Sequence, residues 1–114
     1  MAENIIKIKS FSFALRVVKM CQFLSVEKKE FVLSKQLLRS GTSIGALVRE
    51  SEHAESKSDF IHKMKIAAKE ADETEYWLSL LDRIQSSNIC KELLYECLSI
   101  SKVLSKIISS SRNL

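Results

Sequence analysis

Residues 56–81 read Ser-Lys-Ser-Asp-Phe-Ile-His-Lys-Met-Lys-Ile-Ala-Ala-Lys-Glu-Ala-Asp-Glu-Thr-Glu-Tyr-Trp-Leu-Ser-Leu-Leu. Within that run Phe60, Met64, Ala67, Ala71, Thr74, Leu78 and Leu81 recur at spacings of 4, 3, 4, 3, 4 and 3. This stagger puts all seven on one stripe of an α-helix packed against other helices. Ser56, with Asp59 three residues on, resembles a capping box with Asp in place of Glu and opens the helix at about residue 57. The middle of the stripe (Ala67, Ala71, Thr74) is small, so a bulky group or a close backbone is expected against it.

Ser86, Ser87 and Asn88 interrupt the pattern near residue 85 and supply the next cap. A fourth helix then covers about residues 89–109, with Leu93, Cys97, Ile100, Leu104 and Ile107 in the same stagger. On the N-terminal side a second helix is expected over about 33–53, capped by Ser34 or starting a turn earlier. Gly41 and Gly45 lie four apart in its middle. Each costs about 1 kcal/mol against alanine there, which calls for a packing reason such as the close approach of another helix. Gly41-Thr-Ser-Ile-Gly45 also lacks the Gly-Lys-Ser/Thr ending of a phosphate loop.

The first helix is expected over about 10–24. Phe13, Val17, Met20 and Leu24 form one stripe, and Phe11, Ala14, Leu15, Val18 and Cys21 form a second beside and opposite it. Only a narrow polar strip remains, with Lys9, Ser12, Arg16 and Lys19. A helix of a lone bundle needs about three apolar positions in seven. The surplus calls for a second buried face, and another subunit is the expected cover.

Composition agrees with an all-α fold. The chain has 114 residues, 46% of them hydrophobic, with no proline and two glycines. That length suits one domain, residues 1–114. Short connections between successive helices favour an antiparallel up-down-up-down four-helix bundle. Cys21, Cys90 and Cys97 form no Cys-x-x-Cys pair and read as small buried hydrophobes of a reducing compartment. No stretch approaches a membrane span and Met1–Lys9 has no signal-peptide apolar run, so a cytoplasmic location and no membrane partner are expected.

No constellation of residues in the chain points to a chemical site. Glu50-Ser-Glu-His53 has the Glu-x-x-His form of carboxylate-bridged metal bundles, but those sites use the pair twice and there is no second copy. His53 and His62 read as surface or capping residues, and no metal or other cofactor is expected. Glu70, Asp72, Glu73 and Glu75 crowd two turns, where pairing with Arg39 and Arg49 of the second helix is expected instead of acid–base work. No Ser/His/Asp or Cys/His spacing is present, so no catalytic residue and no enzyme activity are expected.

The run Lys35-Gln36-Leu37-Leu38-Arg39-Ser40-Gly41-Thr42-Ser43-Ile44-Gly45-Ala46-Leu47-Val48-Arg49-Glu50 is similar to the second helix of a family of small bacterial four-helix bundle proteins. These were first named from intervening sequences within 23S ribosomal RNA genes. Residues 56–78 resemble the family's third helix, and Phe11 with the apolar set after it resembles the first. Gln36, Arg39, Ser43, Glu50, Glu73 and Glu75 carry the pattern. Leu47 departs from it, since the family usually has Asn there, and an apolar contact is expected in its place. The resemblance implies a homopentamer around a central channel. It also extends to the accessory proteins of diversity-generating retroelements, which resemble basic pentamers binding nucleic acid and a reverse transcriptase.

Net charge is +4, with basic ends and an acidic middle: residues 1–40 carry +5, 41–75 carry −3 and 76–114 carry +2. The expected function is non-enzymatic binding of RNA or DNA by a homo-oligomer, through phosphate contacts at Lys9, Arg16, Lys19, Lys102, Lys106 and Arg112. No basic–aromatic motif is present for stacking on bases. The competing expectation is a protein-interaction scaffold or accessory subunit, for example of a reverse transcriptase, using exposed apolar residues such as Phe23, Phe31 or Trp77.

Overall fold

A computed structural model describes residues 2–113; Met1 and Leu114, the ends of the expected domain, lie outside the described residues. Among them there are four helices and no strand: α1 (Ala2–Val26), α2 (Val32–Ser51), α3 (Lys57–Ile84) and α4 (Asn88–Arg112). They form a bundle of 47 × 20 × 19 Å in which each helix meets its two neighbours and not the one diagonally opposite. Every neighbouring pair runs antiparallel. Lys9 and Arg16 of α1 meet Ser99 and Glu92 of α4, Arg39 and Glu50 of α2 meet Glu73 and Lys63 of α3, and Leu78 and Ala71 of α3 meet Cys90 and Cys97 of α4.

The expected stripes supply the core. Phe13, Val17, Met20 and Leu24 of α1 are buried, as are six of the seven α3 seam residues and all five of α4, with Phe60 half-buried at the end of its stripe. Burying a side chain such as Phe13 contributes about 1.5–3 kcal/mol, so these stripes are what holds the helices together. Gly41 is explained by packing: a Cβ there would stand 2.9 Å from Cγ1 of Val17, so α1 and α2 touch through a missing side chain. At Gly45 a Cβ would reach only ordinary contact, 3.5 Å from the Ser10 carbonyl oxygen. Leu47 is half-buried against the core.

The cysteines stitch helices instead of carrying chemistry. Each is buried and free, and each thiol donates to a carbonyl of a neighbouring helix: Cys21 to Ser34 at 3.3 Å, Cys90 to Leu78 at 3.2 Å and Cys97 to Ala71 at 3.2 Å. The last contact answers the small middle of the α3 stripe, where Ala71 lets α4 close in. Burial pushes the thiols up, to about 12 at Cys21 and Cys97 and about 11 at Cys90.

Four boundaries differ from expectation by two residues or more, one of them the end of α1, at Val26 instead of residue 24. Helix α1 starts at Ala2, two turns before Ser10, because Ile6 and Ser10 extend the buried stripe at the same stagger. Helix α2 ends at Ser51 instead of residue 53, and α4 runs on to Arg112. Ser34 does not cap α2: it is buried inside the helix, and its hydroxyl donates to the Glu30 carbonyl at 2.8 Å. The Glu30 carboxylate caps instead, accepting from the amides of Val32, Leu33 and Ser34 at 3.2, 3.0 and 2.7 Å. Burial pushes the Glu30 carboxyl up, but these N–H groups prevail and hold it below the usual carboxylate range. Ser56 caps α3 by accepting from the Asp59 amide at 2.9 Å, while Asp59 reaches one residue further back, to the Glu55 amide at 3.1 Å. Ser87 caps α4 through the Cys90 amide at 3.1 Å.

Candidate nucleic-acid interface

The six cations expected to meet phosphate are distributed over three places. Arg16 lies on the edge of α1 that faces α4, where its guanidinium bonds Glu92 at 2.6 Å and also bonds Glu96. Two carboxylates neutralise it there, so it braces the α1–α4 seam and offers no spare charge. Lys19 is exposed, in the same half of the molecule as Lys28, and the two flank a cavity.

The other four gather toward the opposite end. Lys9 is exposed and donates to the Ser99 hydroxyl at 3.1 Å. Lys102 and Lys106 follow on the next two turns of α4, exposed and without an ion pair among the described residues. Arg112 closes the row beside the start of α3. There Lys57, Ser58, Ile61, His62, Lys65 and Arg112 line an open groove of about 580 Å³ with no carboxylate among them. The first turn of α3 adds the positive end of a helix dipole, which Asp59 in the same turn partly offsets.

This asymmetry has a simple origin. From Cys97 onward the chain has three cations and no acidic side chain. Of the carboxylates at that end of the bundle, Glu50 and Glu52 finish α2 and pair with Lys63 and Lys7 at 3.2 Å each. Glu3 lines a groove with Ser51 and Glu52 on the α2 side, and Asp59 is engaged in capping α3 through the Glu55 amide. Helix α2 stands diagonally opposite α4, so the α4 side keeps its positive charge. Lys57 and Lys65 were not among the expected contacts. Their spacing of eight, with Lys69 four further on, sets them on one exposed face of α3, but only the fold brings Arg112 to them.

The α2–α3 seam holds a second polar arrangement. Arg39 bridges Glu70, at 3.3 Å, and Glu73. Ser43 donates to Glu70 at 3.1 Å, and the Trp77 indole N–H donates to Glu73 at 3.0 Å. The bonds from Trp77 and then Arg39 hold the Glu73 carboxyl below the usual carboxylate range, and Glu73 in turn raises the Arg39 guanidinium. Of the six residues that carry the resemblance, Arg39, Ser43 and Glu73 therefore converge. Glu50 pairs with Lys63 further along the seam, while Gln36 and Glu75, both half-buried, make no side-chain hydrogen bond among the described residues. Arg49 is exposed and likewise unpaired among them. Trp77 is half-buried and tied to Glu73, whereas Phe23 and Phe31 are exposed.

His53 and His62 are exposed, and among the described residues no group of three or more His, Cys, Asp or Glu converges closely enough to hold a metal ion. No described helix is long and apolar enough to cross a membrane.

Comparison with solved structures finds a crystal structure of a protein of unknown function from the S23 ribosomal protein family of Bacteroides thetaiotaomicron. It is 50% identical, superposes with a TM-score of 0.92, and the match covers 96% of this chain and 99% of that one. A search of the curated proteins finds no match. Residues 2–106 match the 23S rRNA-intervening sequence proteins, and the chain belongs to that family.

Proposed function

We propose that this protein is a non-enzymatic, cytoplasmic, single-domain bundle that acts as a homo-oligomer and binds RNA or DNA through phosphate contacts. The observation that carries the reading is the row of unpaired cations at one end of the bundle: Lys9, Lys102, Lys106 and Arg112, joined by Lys57 and Lys65. Arg16 has no part in it, and Lys19 lies too far along α1. Cations arranged in this way neutralise phosphates without reading bases, so binding is sequence-tolerant and falls steeply with salt.

Oligomer formation is supported by α1. Its inner stripe is buried, yet Ile8, Phe11 and Leu15, at spacings of 3 and 4 on the outer face, are 70, 57 and 50% exposed. A second copy is the cover we assign to this stripe, in a homopentamer on the family resemblance. Five chains at +4 would bring about +20 to one assembly, a strong field at low salt.

Filter binding against salt tests the nucleic-acid reading, with light scattering for the native mass. The expected result is binding at about 50 mM salt that weakens linearly on a log–log plot, and that Lys102→Glu/Lys106→Glu abolishes. No binding at low salt, or a flat slope, overturns it; a monomer overturns the oligomer. The alternative reading, a protein-interaction scaffold, is favoured by one observation: Val26, Phe31 and Val32 crowd the α1–α2 corner with more than half of each exposed. Co-purification of one defined protein at high salt, lost in Phe31→Ser/Val32→Ser, would support it.

A further inference from the structure

Beyond Arg16 the α1–α4 seam does not close. Between the last turns of α1 and the α3–α4 connection lies a cavity of about 640 Å³. Met20, Leu24 and Leu81 form its floor, at 8, 3 and 1% exposure, and the half-exposed side chains of Phe23 and Ile89 stand as its walls. Gln85, Ser86 and Ser87 supply neutral polar groups at one side. Every charged residue that lines it is a cation: Arg16, Lys19 and Lys28. The ammonium of Lys28 lies 5.9 Å from the centre of the Phe23 ring, which holds that charge over the apolar wall at the mouth. Arg16 is neutralised by Glu92 and Glu96, which leaves Lys19 and Lys28 as the uncompensated pair.

We infer that this cavity binds a small amphipathic anion, a linear alkyl chain ending in a carboxylate or phosphate head. The volume is that of a small-molecule site, and bundles place such sites between helices. Leucine, methionine and phenylalanine surfaces suit methylenes, while the head remains at the wet mouth beside Lys19 and Lys28, where it keeps its hydration. A phosphodiester backbone is a poor fit, since its charges would have to lie along the apolar floor. The apolar floor is separate from the outer stripe of α1: Met20 and Leu24 belong to the buried stripe, and although Lys19 stands one turn beyond Leu15, the cavity lies at the far end of the helix from Ile8. The inference therefore stands whether or not the protein binds nucleic acid.

Methionine methyl groups give a direct readout. Met20 lines the cavity and Met64 is buried in the other half of the bundle, so ¹³C-methyl labelling provides a probe and its control in one spectrum. Decanoate, decyl phosphate and decanol are titrated below their aggregation ranges into the full-length protein. The expected result is that Met20 moves and Met64 does not, and that at least one anion binds fivefold or more tighter than decanol. Chain length should matter, each methylene tightening binding by up to about fourfold until the cavity is full. Lys19→Glu/Lys28→Glu, on exposed positions that leave the core intact, should weaken the anion tenfold or more and leave decanol unchanged. Met20 standing still, Met64 moving in step with it, decanol matching both anions, or indifference to the double charge reversal would each overturn the inference.

Discussion

Thr74 of α3 and Ser40 of α2 share a hydrogen bond of 3.0 Å between two hydroxyls that are both wholly buried. The Thr74 oxygen also lies 2.7 Å from the Glu70 carbonyl. This pair is the one polar link across the floor of the α2–α3 seam, beneath the Arg39–Glu70–Glu73 bridge. Thr74→Val is expected to cost about 1–3 kcal/mol, because it leaves the Ser40 hydroxyl short of a partner. Ser40→Ala/Thr74→Val should cost less than the two single changes added together, with a coupling of about 0.5–2 kcal/mol in urea denaturation.

The two glycines of α2 should respond oppositely to alanine. At position 41 the new methyl meets the stiff, buried Val17, and overpacking of about 1–3 kcal/mol outweighs the better helix propensity. A net loss of about 1–2 kcal/mol is expected. At position 45 the methyl has room, and the propensity gain of about 0.5–1 kcal/mol should appear as added stability. Thermal melts of Gly41→Ala and Gly45→Ala check the pair.

Acid should weaken the fold through Glu30 and Glu73. Both carboxyls sit lower in the folded chain than the usual carboxylate range. The stability they provide is complete above that range, near pH 4.3, and drains away as the pH falls below it toward their depressed values. Urea midpoints measured from pH 7 to pH 3 should show this loss, and Glu30→Gln/Glu73→Gln should flatten it. An unchanged acid limb in the double variant would remove these two groups from the account.

Thiol labelling should report opening of the bundle. With the three cysteines raised to about 11–12, very little thiolate is present at pH 8, and burial hides what there is. Labelling in native buffer is expected to be at least about a hundredfold slower than in urea, with Cys90, the least shifted and nearest a helix start, reacting first. Prompt modification of Cys97 would contradict its placement between α3 and α4.

Lys29 is the one described residue other than glycine with a positive φ, 54°, in the α1–α2 connection. A branched side chain tolerates that conformation poorly. Lys29→Ile should cost about 1–2 kcal/mol, and Lys29→Gly should be neutral or better in chemical denaturation.

The seams of α3 and α4 were legible in the chain because their periodicity is unbroken and Ser56 and Ser87 announce their starts. The beginning of α1 was hidden by Ser10, a hydroxyl standing where the stripe calls for an apolar side chain; it is buried and turns back to the Lys7 carbonyl at 3.3 Å. The cap of α2 was hidden because Glu30 acts from one position before the place where capping residues are looked for. Arg16 looked solvent-facing since helical spacing is blind to what the next helix brings, here Glu92 and Glu96 from 76 and 80 residues away. The groove of Lys57, Lys65 and Arg112 was invisible for the same reason. Periodicity finds faces; only packing decides which charges meet.

The order of helices around the bundle also shapes how the chain comes together and apart. Three seams join helices that follow one another through short connections, so each can zip as a local hairpin. The fourth joins α1 to α4, meets less extensively than the others, and must wait until nearly the whole chain is in place. It is thus the last seam to form and the cheapest to reopen. The cavity of Met20 and Leu24 lies on it, so a guest there would act as a latch on the last seam to close.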